Sequence, residues 1–139
     1  MLLHPALVHF PIALLIAAGA FYVAARFREP STFYRAGWLL HLAGLAGAIA
    51  AVLSGNAAEG DLPLTPELEA HLDTHSLLGY ATVWIFALLA VWQYLRQGRG
   101  GPREQWLFLV AFWLGLGVMA WGAWYGGHMV YEVIGFEAA

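Results

Sequence analysis

Four stretches of about 20 residues, each free of Asp, Glu, Lys and Arg, constrain this chain more than any other feature. A helix needs about 20 mostly apolar residues to cross the hydrocarbon of a bilayer. The stretches run from about 5 to 25, 36 to 53, 76 to 95 and 106 to 125. They are continuously apolar, whereas the strands of a membrane barrel alternate. Composition agrees with spanning helices: 61% of the 139 residues are hydrophobic and 11% charged, with mean hydropathy +0.66. A soluble globule of this size has too much surface to hide so much apolar side chain. The first span has no basic segment before it and no clear cleavage site, so it does not read as a signal peptide.

Charge sets the expected orientation. All six Arg lie in two short connections: Arg26, Arg28 and Arg35 between spans 1 and 2, and Arg96, Arg99 and Arg103 between spans 3 and 4. The positive-inside rule puts both connections in the cytoplasm and both termini outside. Seven of the nine acids (Glu59, Asp61, Glu67, Glu69, Asp73, Glu132 and Glu137) fall on the outer side. The expected setting is the bacterial inner (cytoplasmic) membrane, with the chain crossing it several times in contact with lipid. Short connections make neighbouring spans antiparallel, which gives an all-α, integral membrane, up-down-up-down four-helix bundle as a single domain. Spans 1 and 3 then face each other across one diagonal, spans 2 and 4 across the other. The net charge of −3 offers no basic patch for nucleic acid, and the absence of Cys removes thiolate zinc sites, iron–sulfur clusters and covalent haem attachment.

Local signals refine this plan. Pro11 removes a hydrogen bond to Leu7 and bends span 1 near its outer end. The segment 54–65 reads as the one long outer loop. Thr65-Pro66-Glu67 reads as an N-cap, a proline at N1 and a first-turn acid, so a helix begins near Pro66. Glycines recur in span 2 (Gly37, Gly44, Gly47, Gly55) and span 4 (Gly115, Gly117, Gly122, Gly126, Gly127). Such faces serve close helix packing, a homo-oligomer, or room for a flat cofactor, and spacing alone does not separate these. Trp92, Tyr94 and Trp106 suit an inner aromatic belt, and Trp124, Tyr125 and Tyr131 an outer one.

Any chemistry lies in six histidines, since ionisable side chains within a membrane are costly. His4 opens span 1 and His9 lies roughly 6–8 Å deeper. His71 and His75 share a face at the start of span 3, and His128 closes span 4. Five of the six therefore gather at the outer end. His41 stands apart, about 9 Å from the inner surface, and reads as structural, with a hydrogen bond across to span 4.

Three readings compete for the outer cluster. The first is haem b, held by two neutral imidazoles from facing helices. His9 and His75, on diagonal spans, would be the axial ligands, and Gly79 would leave space beside the ring. His4, His71 and His128 would be supporting groups or alternative ligands. The second is a divalent transition metal such as Zn, Cu or Ni, bound by the His71–His75 pair with help from His4, His9 or His128. The third is a set of interfacial polar groups in a structural subunit. No nucleophile–base pair is evident, so no catalytic residue is assigned.

Four motifs carry a resemblance. HPALVHFPIALL runs from His4 to Leu15, SGNAAE from Ser54 to Glu59, HSLLG from His75 to Gly79, and GGHMVYEVIGF from Gly126 to Phe136. Together they resemble the bacterial "domain of unknown function 2231" family of small four-helix membrane proteins, over nearly the whole chain. The resemblance marks His4, His9, His75, Gly79, Gly126, Gly127 and Tyr131. Met129 stands where the family pattern has Leu. Relatives joined to Rieske-type or cytochrome c-type domains imply electron transfer near the outer face. The expected function is thus a small b-type cytochrome passing electrons between a quinol and a periplasmic redox protein, with a metal-handling protein as the alternative.

Overall fold

The computed structural model describes residues 3–59, 65–97 and 99–130. It contains four helices: α1 (Leu3–Ala24), α2 (Pro30–Glu59), α3 (Pro66–Arg96) and α4 (Pro102–His128). All four are long and apolar enough to cross a membrane. Proline occupies the first turn of α2, α3 and α4, where its missing N–H costs nothing. Thr65 caps α3, its hydroxyl accepting from the Leu68 N–H at 3.2 Å. The helices extend beyond the apolar spans. In particular, α2 runs through 54–59, which the sequence assigns to a loop. Ala57 and Ala58 favour helix, and Ser54 bonds back to the Ala51 carbonyl instead of breaking the turn.

The bundle is built from two hairpins. α1 packs most extensively on α2 and α3 on α4, while α2–α3 and α1–α4 are the thinner seams. The backbones of α1 and α3 do not approach each other, nor do those of α2 and α4, so these pairs are the diagonals. Glycines explain the tight α1–α2 contact. A Cβ on Gly44 would lie 2.7 Å from Leu15 Cγ and 3.2 Å from the Leu15 backbone nitrogen. Gly47 meets Pro11 and Gly37 meets the Tyr22 ring in the same way. At these positions the glycines serve helix packing and leave no slot for a cofactor.

Large apolar side chains point outward. Leu77 and Leu114 are each 68% exposed and Trp84 67%, an arrangement that suits lipid rather than water. Trp113 and Trp121 also face out, so the interior is filled mainly by Leu15, Tyr22, Phe86, Phe108 and Phe112. At mid-bundle His41 is completely buried among Tyr22, Trp38, Phe86 and Phe112. Its Nε2–H donates to the Phe86 carbonyl (3.0 Å) and its Nδ1 accepts from the Tyr22 hydroxyl (3.3 Å). The hydrogen bonds therefore run to α3 and α1, and not to α4 as the sequence suggests. Position 41 lies on the α2 face that meets both neighbouring helices, and α4, on the diagonal, supplies only the Phe112 ring.

Candidate functional site

His41 and its aromatic cage divide the bundle interior into two ends. The histidine end carries a cavity of about 170 Å³. Its walls are chiefly Val, Ile, Leu, Ala, Gly and Met side chains, and His4 and His75 face it from the diagonal helices α1 and α3. The two rings are 6.2 Å apart between centroids and nearly perpendicular, at 86°.

Each ring is held in the same way. Ser54 Oγ donates to the Ala51 carbonyl and accepts from His4 Nδ1–H, both at 2.9 Å. His75 Nδ1–H donates to the Gly122 carbonyl at 2.9 Å. A glycine lies against each imidazole: a Cβ on Gly55 would come within 3.1 Å of His4 Cε1, and one on Gly126 within 2.8 Å of His75 Cε1. Locking Nδ1–H leaves the Nε2 lone pair as the donor atom, the arrangement usual for metal-bound imidazole. Among the described residues neither Nε2 has a hydrogen-bond partner.

The other histidines are placed differently. His9 is exposed, with Nδ1 bonded to the Pro5 carbonyl of its own helix at 2.7 Å. It lies five residues from His4, which is about 140° around a helix, so the two cannot share a face. The structure does not bring His9 and His75 together; His4 is the residue opposite His75. Depth alone suggested His9, whereas the buried stripe of α1, through Pro11, Leu15, Ala18 and Tyr22, leads back to His4. His71 and His128 form a separate pair on the α3–α4 surface, 5.4 Å apart, with His128 stacked on Trp124 at 5.3 Å. His71 Nδ1 is bonded to the Glu67 carbonyl. Among the described residues no three of His, Asp and Glu are grouped to hold a metal ion.

Gly79 lines the cavity one turn from His75, and a Cβ there would make ordinary contact with Val52 at 3.6 Å. A Cβ on Gly127 would meet open space, so that glycine seats nothing. Tyr131 lies outside the described residues. Reasoning from sequence missed Ser54, Gly55 and the Gly122 carbonyl as the groups that hold the rings. The Ser-Gly motif after span 2 was the available signal for the first two.

The family comparison agrees with this architecture. Residues 2–135 match the family described as "Predicted membrane protein (DUF2231)", and the chain belongs to it. No curated protein and no solved structure matches the chain.

Proposed function

We propose that this multi-pass membrane protein is a small electron carrier of the b-type cytochrome kind, in which His4 and His75 would hold the iron of haem b. The observation that carries this reading is the opposed imidazole pair on diagonal helices, each with Nδ1–H held and Nε2 free. The donor count favours a macrocycle. A bare zinc site takes three or four protein ligands, whereas haem brings four nitrogens and asks the protein for two. When bound, haem supplies one-electron chemistry. The chain's own contribution is to fix the two rings through Ser54 and the Gly122 carbonyl, and to surround them with apolar side chains that exclude water. The Arg-rich connections favour an outer position for the histidine end, where a quinol or a periplasmic redox protein would exchange electrons.

A cavity of about 170 Å³ is smaller than the ~300–1,000 Å³ typical of ligand sites, so a porphyrin requires the hairpins to part at this end. The seams to be opened, α2–α3 and α1–α4, are the thinner ones. The same small volume is the observation that favours a second reading, a single transition-metal ion completed by water. An absorption spectrum of the purified protein, oxidised and reduced, taken with elemental analysis, separates the two. A Soret band with sharp reduced bands supports haem. Stoichiometric Zn, Cu or Ni without a visible band supports the ion. A colourless, metal-free protein from haem-replete cells contradicts both.

A further inference from the structure

The arginine end holds a second cavity, of about 350 Å³, where all four helices converge. Tyr22 and Arg26 reach it from the end of α1, Tyr34 from α2, Gln93 and Arg96 from α3, and Gln105 from α4. Most polar groups there are already matched. The Tyr34 hydroxyl donates to Gln93 Oε1 at 2.6 Å. Glu104 receives Arg96 Nε at 2.5 Å and Trp92 Nε1 at 3.0 Å, so its charge is answered locally. Gln105 accepts from the Arg26 guanidinium and donates to the Gly100 carbonyl.

One buried donor remains: Arg26 Nε is buried without an acceptor among the described residues. Gln93, only 8% exposed, accepts from Tyr34 through Oε1 and presents its amide on the wall of the same cavity. Arg26 lies over the Trp106 ring at 5.6 Å, and among the described residues no carboxylate pairs with it. A part-buried guanidinium without a counter-charge is costly, and its natural complement is an anion with several acceptor oxygens. A neutral carbonyl would satisfy the donors but leave the charge unmatched.

We infer that the cavity at the arginine end binds a phosphate group, gripped by Arg26 and Gln93. The cavity is at the level where the apolar spans end and lipid headgroups begin. A phospholipid phosphodiester and free inorganic phosphate share this chemistry, and the experiment distinguishes them.

The full chain is purified in a phosphate-free glycoside detergent, phosphatidylglycerol is added, and retained lipid is counted by native mass spectrometry. Inorganic phosphate is titrated calorimetrically into the detergent-purified protein. Arg26→Gln is expected to lower binding of the effective probe about tenfold or more, as for a charge-assisted hydrogen bond. Gln93→Leu lowers it several-fold. Arg28→Gln, the same charge change at an exposed position off the cavity, leaves it unchanged. Arg26→Lys keeps the charge without the Nε donor and retains intermediate binding, which separates loss of the site from loss of fold. Arg26-dependent retention of phosphatidylglycerol assigns a lipid; Arg26-dependent binding of inorganic phosphate alone assigns the free anion. Equal effects of Arg26→Gln and Arg28→Gln, or binding of neither probe, overturn the inference. So does displacement of the bound probe by a neutral quinone.

Discussion

At the histidine end, two imidazoles face each other across an apolar cavity, each with a free Nε2. At the arginine end, a larger cavity is lined by Arg, Gln and Tyr, and most of its polar groups bond to one another. Between them, His41 spends both ring nitrogens on hydrogen bonds and is fully enclosed. The same residue type thus occupies two kinds of setting in one small bundle. A histidine with both nitrogens engaged holds helices together; one with a single nitrogen engaged, beside a cavity, keeps a lone pair for a ligand.

His41→Ala breaks this comparison most severely. It deletes a fully buried ring and leaves the Tyr22 hydroxyl without its acceptor. A loss of about 3 kcal/mol is expected, most of it from the cavity, because hydrogen bonds between membrane helices contribute little each. Reversible unfolding in mixed micelles measures it, and His4→Ala should cost clearly less, since His4 is only part-buried. Gly44→Ala comes next. Its Cβ would press into Leu15 and the α1 backbone, which costs about 1–3 kcal/mol in the same assay.

Ser54→Ala sharpens the contrast at the site. Stability should fall by about 1 kcal/mol or less, while affinity for the proposed haem or ion falls about tenfold or more, because His4 loses the group that orients it. A titration of apoprotein with haemin or metal reads the second effect separately from the first. Gly117→Ala is the quiet control. Nothing lies within 4 Å of its Cβ position, so stability should stay within about 0.5 kcal/mol of the parent.

Much of the fold was legible because its cause is coarse. Twenty apolar residues without charge specify a spanning helix whatever their order. Thr65-Pro66 announced the start of α3 through local backbone chemistry alone. The end of α2 was not legible, since Ser54, Gly55 and Asn56 look like a loop until Ser54 finds its bonds to Ala51 and His4. The gathering of histidines at one end was visible in the sequence. The pairing was not, because it depends on rotation about α1 as well as depth, and five residues turn His9 away from the face that carries His4. The partners of His41 were equally hidden, since hydrogen bonds to a backbone carbonyl such as that of Phe86 leave no mark on residue type.

The most direct test compares reduced-minus-oxidised spectra of His4→Ala, His9→Ala and His75→Ala with the parent, each purified from haem-replete cells at matched protein concentration. The account predicts that His4→Ala and His75→Ala lose or shift the haem bands while His9→Ala keeps them at full strength. Loss of the bands in His9→Ala with an unchanged spectrum in His4→Ala would contradict it.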